Sequence, residues 1–124
     1  MFMAVLVAAL VSPIAQAATN DPGKCGKNGP SKSIMTNGSS EYDNFRTAKD
    51  QAVKGQGLTI FNNNEKKLPS AGSNEKYYEF DLGASRLEDR GKHRAVLLAL
   101  EGTKRNVKNS YYTQNHYGSF CLIN

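Results

Sequence analysis

Three residues in the C-terminal third of the chain, Glu79, Arg94 and His116, have side chains suited to acid–base chemistry on an anionic substrate. A carboxylate can accept a proton, an imidazole can donate one, and a guanidinium stabilises negative charge that develops on a substrate. Each of the three lies in a separate segment rich in aromatic or aliphatic residues. Spacing alone also allows the alternative that they are three unrelated polar residues on the surface.

The three segments have the composition of short β-strands separated by glycine-containing turns. They are residues 76–82, 93–100 and 111–117, and three antiparallel strands are the simplest interpretation. Side chains alternate between the two faces of a strand, so the first segment should place Tyr77, Glu79 and Asp81 on one face. We expect that face to be solvent-exposed and the opposite face to be core.

The start of the chain reads as a secretory signal peptide. Residues 1–17 contain no charged residue, are apolar from Met3 to Val11, and end in the small-residue pattern Ala15-Gln16-Ala17, which is typical of cleavage after Ala17. The apolar run is too short to span a bilayer, and no later segment is long enough, so we expect no membrane protein. The sequence therefore predicts a secreted, extracellular protein with one small domain over residues 18–124.

Charge and cysteine content limit the partners of this domain. The formal net charge of +5 favours a polyanion such as nucleic acid, and an anionic membrane surface or cell wall would satisfy it as well. Cys25 and Cys121 are the two cysteines of the chain, and in a secreted protein the default expectation is that they pair. Their separation, and the absence of ligand spacing between His93 and His116, predict no metal site and no cofactor.

One α-helix is predicted over residues 40–54. Ser40 can cap it, with Asp43 three residues further on, and the glycines at 55 and 57 end it. Its apolar side chains recur at helical spacing and should face the sheet: they are Tyr42, Phe45, Ala48 and Ala52. Before the helix we expect a loop with one short strand near residues 33–35. The predicted fold is therefore α+β, a single N-terminal helix packed on a twisted antiparallel sheet.

A polar loop follows the helix and a further short strand at residues 57–61. Its residues 62–69 include three asparagines and Glu65, types that tolerate turn and left-handed geometry. Such a loop could present backbone N–H groups and the Glu65 carboxylate to a planar polar ligand. The alternative is an ordinary surface turn.

Four short motifs succeed one another over residues 57–124. They are Ile60-Phe-Asn-Asn-Asn-Glu-Lys-Lys-Leu-Pro69, Tyr77-Tyr-Glu-Phe-Asp81, Arg90-Gly-Lys-His-Arg94 and His116-Tyr-Gly-Ser-Phe120. In this order they resemble the base-recognition loop, the strand with the catalytic glutamate, the phosphate-binding arginine pair and the catalytic histidine segment of the small microbial guanyl-preferring ribonucleases. Each motif is weak alone, but the shared order and approximate spacing make chance an unsatisfactory explanation.

The resemblance implies cleavage of RNA by transphosphorylation and then hydrolysis of a cyclic phosphate. It assigns Glu79 as the base, His116 as the acid and Arg94 as the group that stabilises the phosphoryl oxygens. It also implies a set of substrate-binding residues: Phe61, Asn62, Asn63, Asn64, Glu65, Arg90 and Tyr117. RNA is then the expected partner of a monomeric enzyme that needs no metal, and the resemblance leaves room for a protein inhibitor in the producing cell.

The chain also departs from the family pattern. A disulfide that joins the two ends is a feature of the fungal branch, yet the Tyr-x-His usual before the loop in that branch is missing from residues 57–60. The bacterial branch supplies a lysine from a helix, for which Arg46 or Lys49 could stand in. Two alternatives therefore stay open: a secreted RNA-binding effector that keeps the fold without turnover, and a cationic surface or cell-wall binder.

Overall fold

The computed structural model describes residues 21–82, 93–102 and 106–123, so the predicted signal peptide lies outside the described residues. Within them, helices pack on one face of a four-stranded antiparallel sheet whose strands follow chain order. The α+β class is confirmed, although two helices take the place of one. The elements are a 3-10 turn at Gly29–Ser31, helices α1 (Lys32–Met35) and α2 (Ser40–Lys54), and strands β1 (Glu75–Asp81), β2 (Arg94–Leu100), β3 (Asn106–Thr113) and β4 (Cys121–Leu122).

Helix α2 has the predicted bounds because both of its ends are capped by local sequence. The hydroxyl of Ser39, rather than that of Ser40, accepts a hydrogen bond from the backbone N–H of Tyr42 at 3.0 Å, the usual N-cap arrangement. At the other end Gly55 is left-handed, with φ at 73°, and its N–H bonds to the carbonyl of Ala52. Glycine adopts this conformation without a Cβ penalty, so the helix stops there.

The buried face of α2 differs from the predicted face at one position. Phe45, Ala48 and Ala52 are buried as expected, whereas Tyr42 is only half-buried and the acidic Glu41 is buried in its place. Residues 41, 45, 48 and 52 follow the spacing of a single helix face. The pattern was misread because an acid is not counted as a core residue. The helix covers a cluster formed by strand residues and by Leu82 directly after β1: Tyr78, Phe80, Leu82, Ala95, Leu97, Ala99 and Tyr112.

A short helix replaces the strand that was expected near residues 33–35. Pro30 lies in the first turn of the preceding 3-10 segment, where its fixed φ favours helical geometry and its missing N–H costs nothing. The turn continues into α1, and the side chain of Ile34, 1% exposed, inserts into the core beneath α2. Burial of one large aliphatic side chain therefore decides the conformation of this segment.

The face of the sheet opposite the helices is only partly solvent-exposed. Tyr77 lies on the same face as Glu79, as predicted, but it is 3% exposed and packs with Leu68, Val96, Leu98 and Tyr111. The prediction of one wet face was wrong here because two loops fold over it. The half-buried residues of these loops and of β4 that complete the cover are Phe61, Tyr117, Phe120 and Leu122.

Two predicted strands have other limits in the structure. Residues 57–61 run beside β1 through the hydrogen bonds from Glu79 N to Thr59 O and from Phe61 N to Tyr77 O, at 2.8 and 2.9 Å, but form only an isolated bridge. Strand β3 begins at Asn106 and ends at Thr113, so His116 does not lie on a strand. The C-terminal motif is a loop that leaves the sheet.

The structure contains the Cys25–Cys121 disulfide that the sequence predicted, with a Cα–Cα distance of 4.8 Å. Next to it, the backbone N–H of Cys25 donates to the carbonyl of Leu122 at 2.8 Å. Closing a loop of 96 residues should stabilise the fold by about 4 kcal/mol in the chain-entropy model. No helix among the described residues is long and apolar enough to cross a membrane.

Candidate active site

Strands β1 and β2 place a carboxylate pair and a guanidinium together on the loop-covered face of the sheet. Asp81 and Arg94 are directly opposed in the register, and Glu79 lies two residues away on the same face. The guanidinium Nη1 of Arg94 contacts the Asp81 carboxylate, and its Nε lies 3.8 Å from Glu79 Oε1. Arg94 therefore holds a fixed positive charge beside Glu79. Asp81 was not among the predicted site residues, although strand alternation placed it on this face.

Tyr117 links Glu79 and Arg94 into one network. Its hydroxyl donates to Glu79 Oε1 and accepts from Arg94 Nε at 2.9 Å. Burial, reinforced by the bond to Glu79 and opposed by Arg94, raises the pKa of the Tyr117 phenol to about 12. The phenol therefore stays protonated across the physiological range and remains a hydrogen-bond donor to the carboxylate. The resemblance implied that Tyr117 binds substrate, and this hydroxyl bridge to Glu79 was missed because it depends on the loop geometry.

The loop after β3 carries His116 and Tyr117 in an uncommon backbone conformation. Both residues are left-handed, with φ values of 54° and 71°, which disfavours continuation of a strand. The hydroxyl of Thr113 accepts from the backbone N–H of Tyr117 at 3.1 Å. The side-chain oxygen of Asn115 accepts from the N–H of Ser119 at 2.9 Å. These side chains bond the loop backbone in place of a partner strand, and such strain is typical of functional sites.

The Asn-rich loop is folded by the side chain of its second asparagine. Asn63 is left-handed, with φ at 54°. Its amide accepts from the N–H of Leu68 at 3.1 Å and donates to the carbonyl of Leu68 at 2.9 Å. Since Leu68 is fully buried, these bonds anchor the loop to the core. The Asn63 side chain is thus committed to the loop itself, while the Glu65 side chain is 74% exposed.

The two loops border one cleft of about 500 Å³. It contains both members of the predicted acid–base pair, Glu79 and His116, and the rings of His116 and Tyr117 lie 4.8 Å apart. The residues that line it are Ile60, Phe61, Asn62, Asn63, Asn64, Glu65, Lys67, Glu79, His116, Tyr117, Gly118 and Phe120.

Most of the predicted site residues are brought together at this cleft. Arg94 reaches it through its contacts with Glu79 and Tyr117, and Arg90 lies outside the described residues. Sequence reasoning missed four lining residues, although all four fall inside quoted motifs: Ile60, Lys67, Gly118 and Phe120. Gly118 is needed for space, because a Cβ there would lie 3.0 Å from the side chain of Asn115.

The two helix residues considered as a supporting basic group lie elsewhere. Arg46 and Lys49 line a separate groove with Met35, Val53 and Ile123, so neither takes the position of a helix lysine in the cleft. The cleft lining includes Lys67, and its ammonium donates to the carbonyl of Gly118 at 2.6 Å. In the part of the chain that the structure describes, no three His, Cys, Asp or Glu side chains are grouped as metal ligands.

Fold and site together define a class: an α+β protein with a carboxylate, an imidazole and a guanidinium at one cleft. A family model described as ribonuclease matches residues 16–124. This is most of the chain, and the chain belongs to that ribonuclease family, whose members act on RNA. The resemblance to the microbial ribonucleases is thereby confirmed. The comparison with curated proteins found no match.

Proposed function

We propose that this protein is a secreted, metal-independent endoribonuclease that cleaves single-stranded RNA on the 3′ side of guanosine through a 2′,3′-cyclic phosphate. The observation that carries the proposal is the placement of Glu79 and His116 in one cleft, with Arg94 and Tyr117 bonded to the carboxylate. A base, an acid and a cation at one cleft meet the requirements of phosphoryl transfer within RNA.

In the first step Glu79 accepts the proton of the ribose 2′-hydroxyl, and the 2′-oxygen attacks the adjacent phosphorus. The bond from phosphorus to the 5′-oxygen breaks, and protonated His116 gives its proton to that oxygen. In the second step the roles are exchanged: His116 accepts a proton from water, the resulting hydroxide opens the cyclic phosphate, and Glu79 returns a proton to the 2′-oxygen. DNA lacks the 2′-hydroxyl and is not cleaved by this route.

Arg94 and Tyr117 assist this chemistry without taking up protons. The guanidinium of Arg94 stabilises the negative charge that develops on the phosphoryl oxygens. The neutral phenol of Tyr117 donates to Glu79 and so fixes the direction in which the carboxylate points. The contacts of Arg94 and Tyr117 with Glu79 exist before substrate binds. This reduces the reorganisation that the transition state requires.

Guanine recognition is assigned to the loop of residues 62–65. The Glu65 carboxylate accepts from N1–H and the exocyclic amine of guanine, and backbone N–H groups of residues 62–64 donate to its O6. Adenine offers no matching pair of donors to the carboxylate, so these two hydrogen bonds are not formed. Phe61 stacks on Tyr117 in the protein, with ring centroids 5.1 Å apart, and serves as part of the cleft wall.

The test of activity incubates the mature protein, residues 18–124, with RNA in EDTA and analyses the product ends. We expect guanosine 2′,3′-cyclic phosphate ends that disappear in Glu79→Ala and His116→Ala. RNA binding without any cleavage would favour the inactive RNA-binding alternative, and neither binding nor cleavage would favour a surface or cell-wall binder.

The test of base preference compares guanosine- and adenosine-containing dinucleotides. The parent should prefer guanosine by about tenfold to a hundredfold. Glu65→Gln should erode that preference, because the amide presents a donor where guanine also presents one. Arg94 variants should slow both dinucleotides alike. Equal rates on the two dinucleotides in the parent would refute the guanosine assignment while leaving a ribonuclease.

Secretion is the third element of the proposal and rests on the composition of residues 1–17. N-terminal sequencing and intact-mass analysis of protein recovered from culture medium provide the test. A mature chain that starts near residue 18 and loses two hydrogens on forming its disulfide supports the proposal. A chain retained inside the cell with residues 1–17 still attached contradicts it.

A further inference from the structure

One ammonium group joins the two loops that border the cleft. Lys67, at the end of the Asn-rich loop, donates to the backbone carbonyl of Gly118 at 2.6 Å, and Gly118 is two residues beyond His116. The same ammonium lies 3.5 Å from Glu65 Oε1. Lys67 is therefore in contact with both the proposed guanine-binding carboxylate and the loop of the proposed catalytic histidine.

The Asn-rich loop and the His116 loop are each held by their own hydrogen bonds. The contact of Lys67 with Gly118 therefore determines the distance between the two loops. The Asn-rich loop is tied to the buried Leu68 by the side chain of Asn63. The His116 loop is tied to the sheet through Thr113, and the N–H of Gly118 donates to the carbonyl of Asn115 at 3.3 Å. Between these two supported segments, Lys67 makes a charge-assisted contact across the cleft mouth.

The side chain of Glu65, the proposed guanine-binding carboxylate, lies mostly in solvent. It is 74% exposed, and a long acidic side chain in solvent loses considerable rotamer freedom when it is fixed on a ligand. A carboxylate has about four lone-pair positions, so Glu65 can accept from Lys67 and from a base edge at the same time. The ammonium can thus orient the carboxylate before the base arrives.

We propose that Lys67 is a positioning residue for base specificity, whose ammonium orients Glu65 and sets its distance from the His116 loop. This inference rests on the proposed guanosine-specific ribonuclease function. Through Lys67, binding of the base is coupled to the placement of His116, the proposed proton donor. Lys67 itself does not touch the reacting atoms.

The test compares Lys67→Gln with Lys66→Gln, which removes the same charge from the neighbouring exposed residue of the same loop. The kcat and KM of each are measured on guanosine- and adenosine-containing dinucleotides. Lys67→Gln should lower the guanosine-to-adenosine ratio of kcat/KM by about fivefold, mainly through KM for guanosine, as expected for loss of an exposed charged contact. Lys66→Gln should leave that ratio near the parental value.

Two further variants separate positioning from a general effect of charge. Lys67→Arg keeps a cation of similar reach and should restore most of the ratio. The double variant Glu65→Gln/Lys67→Gln should lose no more selectivity than Glu65→Gln alone, because Lys67 acts through Glu65. Backbone relaxation measured by NMR should show both loops loosened in Lys67→Gln and unchanged in Lys66→Gln.

The outcomes distinguish this inference from the proposed function. A parent that prefers guanosine, with an unchanged ratio in Lys67→Gln or an equal loss in Lys66→Gln, overturns the role of Lys67 alone. Additive losses in the double variant overturn it as well. A parent without guanosine preference overturns both the base assignment and the role of Lys67.

Discussion

Each face of the sheet carries a carboxylate, a basic side chain and a phenol in contact with one another, but the surroundings of the two clusters differ. On the cleft face Glu79 interacts with Arg94 and Tyr117. On the helix face Glu41 bonds to His93 Nδ1 and accepts from the hydroxyl of Tyr112 at 3.1 Å. In both clusters a carboxylate meets a basic side chain and a phenol. The basic residues are consecutive in the chain, so strand alternation directs them to opposite faces.

The clusters differ in what covers them. Helix α2 supplies Glu41 and closes over its cluster, leaving the Glu41 side chain 11% exposed and Tyr112 2% exposed. The cleft face is covered by two loops that leave a gap, and the Glu79 side chain remains 25% exposed. A carboxylate is therefore largely buried on one face and accessible in the candidate site on the other, although His93 on the helix face is itself 30% exposed.

The pKa values of the two phenols reflect these different surroundings. Burial raises the pKa of both Tyr112 and Tyr117 above the ordinary value of 10. For Tyr112 the Glu41 charge raises it further, whereas for Tyr117 the guanidinium of Arg94 opposes the increase. Both phenols are neutral donors at physiological pH, and Tyr117 is the one that lines the candidate cleft with Glu79 and His116.

The largest expected effect comes from removing a reactive group on the cleft face. Glu79→Ala and His116→Ala should each lower turnover by about a hundredfold or more, the usual contribution of a positioned base or acid. Neither should unfold the domain, because both side chains border solvent. Steady-state rates on RNA, paired with thermal unfolding, provide the measurement. Near-parental rates in both variants would remove these residues from the proposed roles.

The matched change on the helix face should affect stability instead. Glu41→Ala leaves His93 and Tyr112 without their carboxylate partner in a largely buried site, which should lower the free energy of unfolding by about 3 kcal/mol. The rate per folded molecule should change little. Urea titration gives the first quantity, and rates corrected for the folded fraction give the second. A loss of turnover without loss of stability would mean that the helix-face cluster takes part in the reaction.

Replacing Tyr117 or Tyr112 by phenylalanine compares the two faces with a change that removes only a hydroxyl group. Tyr117→Phe removes the donor to Glu79 and should lower turnover by about tenfold, the effect of losing one hydrogen bond to a charged group. Tyr112→Phe should lower stability by about 1–2 kcal/mol and keep turnover. Measuring both quantities in both variants makes each the control for the other. An identical profile in the two variants would contradict the division between faces.

The smallest expected effect concerns the ion pair between Glu75 on β1, whose side chain is 14% exposed, and Lys108 on β3, whose side chain is 47% exposed. The hydrogen bond from Lys108, together with that from the N–H of Gly72, lowers the pKa of Glu75 below its ordinary value of 4.5. Because the pKa of Glu75 is lower in the folded state, its ionised form stabilises the fold fully at pH values above the ordinary pKa of 4.5. This stabilisation is lost as the pH falls through the folded-state pKa.

Glu75→Gln should therefore cost less than about 1 kcal/mol at neutral pH, as is usual for exposed pairs. The difference between parent and variant should shrink as the pH is lowered below the ordinary value of 4.5. Urea titrations of both proteins across the acidic range provide the measurement. A difference that grows towards low pH would show that the sign of the Glu75 contribution is wrong.

Features that depend on neighbouring residues were predictable from the sequence. The bounds of α2 follow from helical spacing and a glycine stop, and β1 and β2 follow from dense aromatic and aliphatic runs. The order of four short motifs was enough to indicate the ribonuclease family that the family comparison then confirmed. Each of these inferences uses interactions within a few positions along the chain.

The wrong predictions concern features that depend on residues distant in the chain or on the path of a loop. Ile34 lies in a helix because it fills a space beneath α2, and Glu41 is buried because His93 and Tyr112 meet it there. The strand predicted as far as residue 117 ends at Thr113. Beyond that point, side chains of the loop bond its own backbone.

By itself the sequence determined α2, β1 and β2, the family and the candidate acid and base, because spacing and residue type act locally. Only the tertiary structure decided which carboxylate is buried and which faces the cleft, and which lysine spans the two loops. Glu41 and Glu79 are chemically alike, and so are Lys66 and Lys67. Glu41 is more buried than Glu79 because α2 closes over its cluster, and Lys67 differs from Lys66 because its ammonium donates to the carbonyl of Gly118. Both relations join residues that are distant in the chain, which local pattern does not encode.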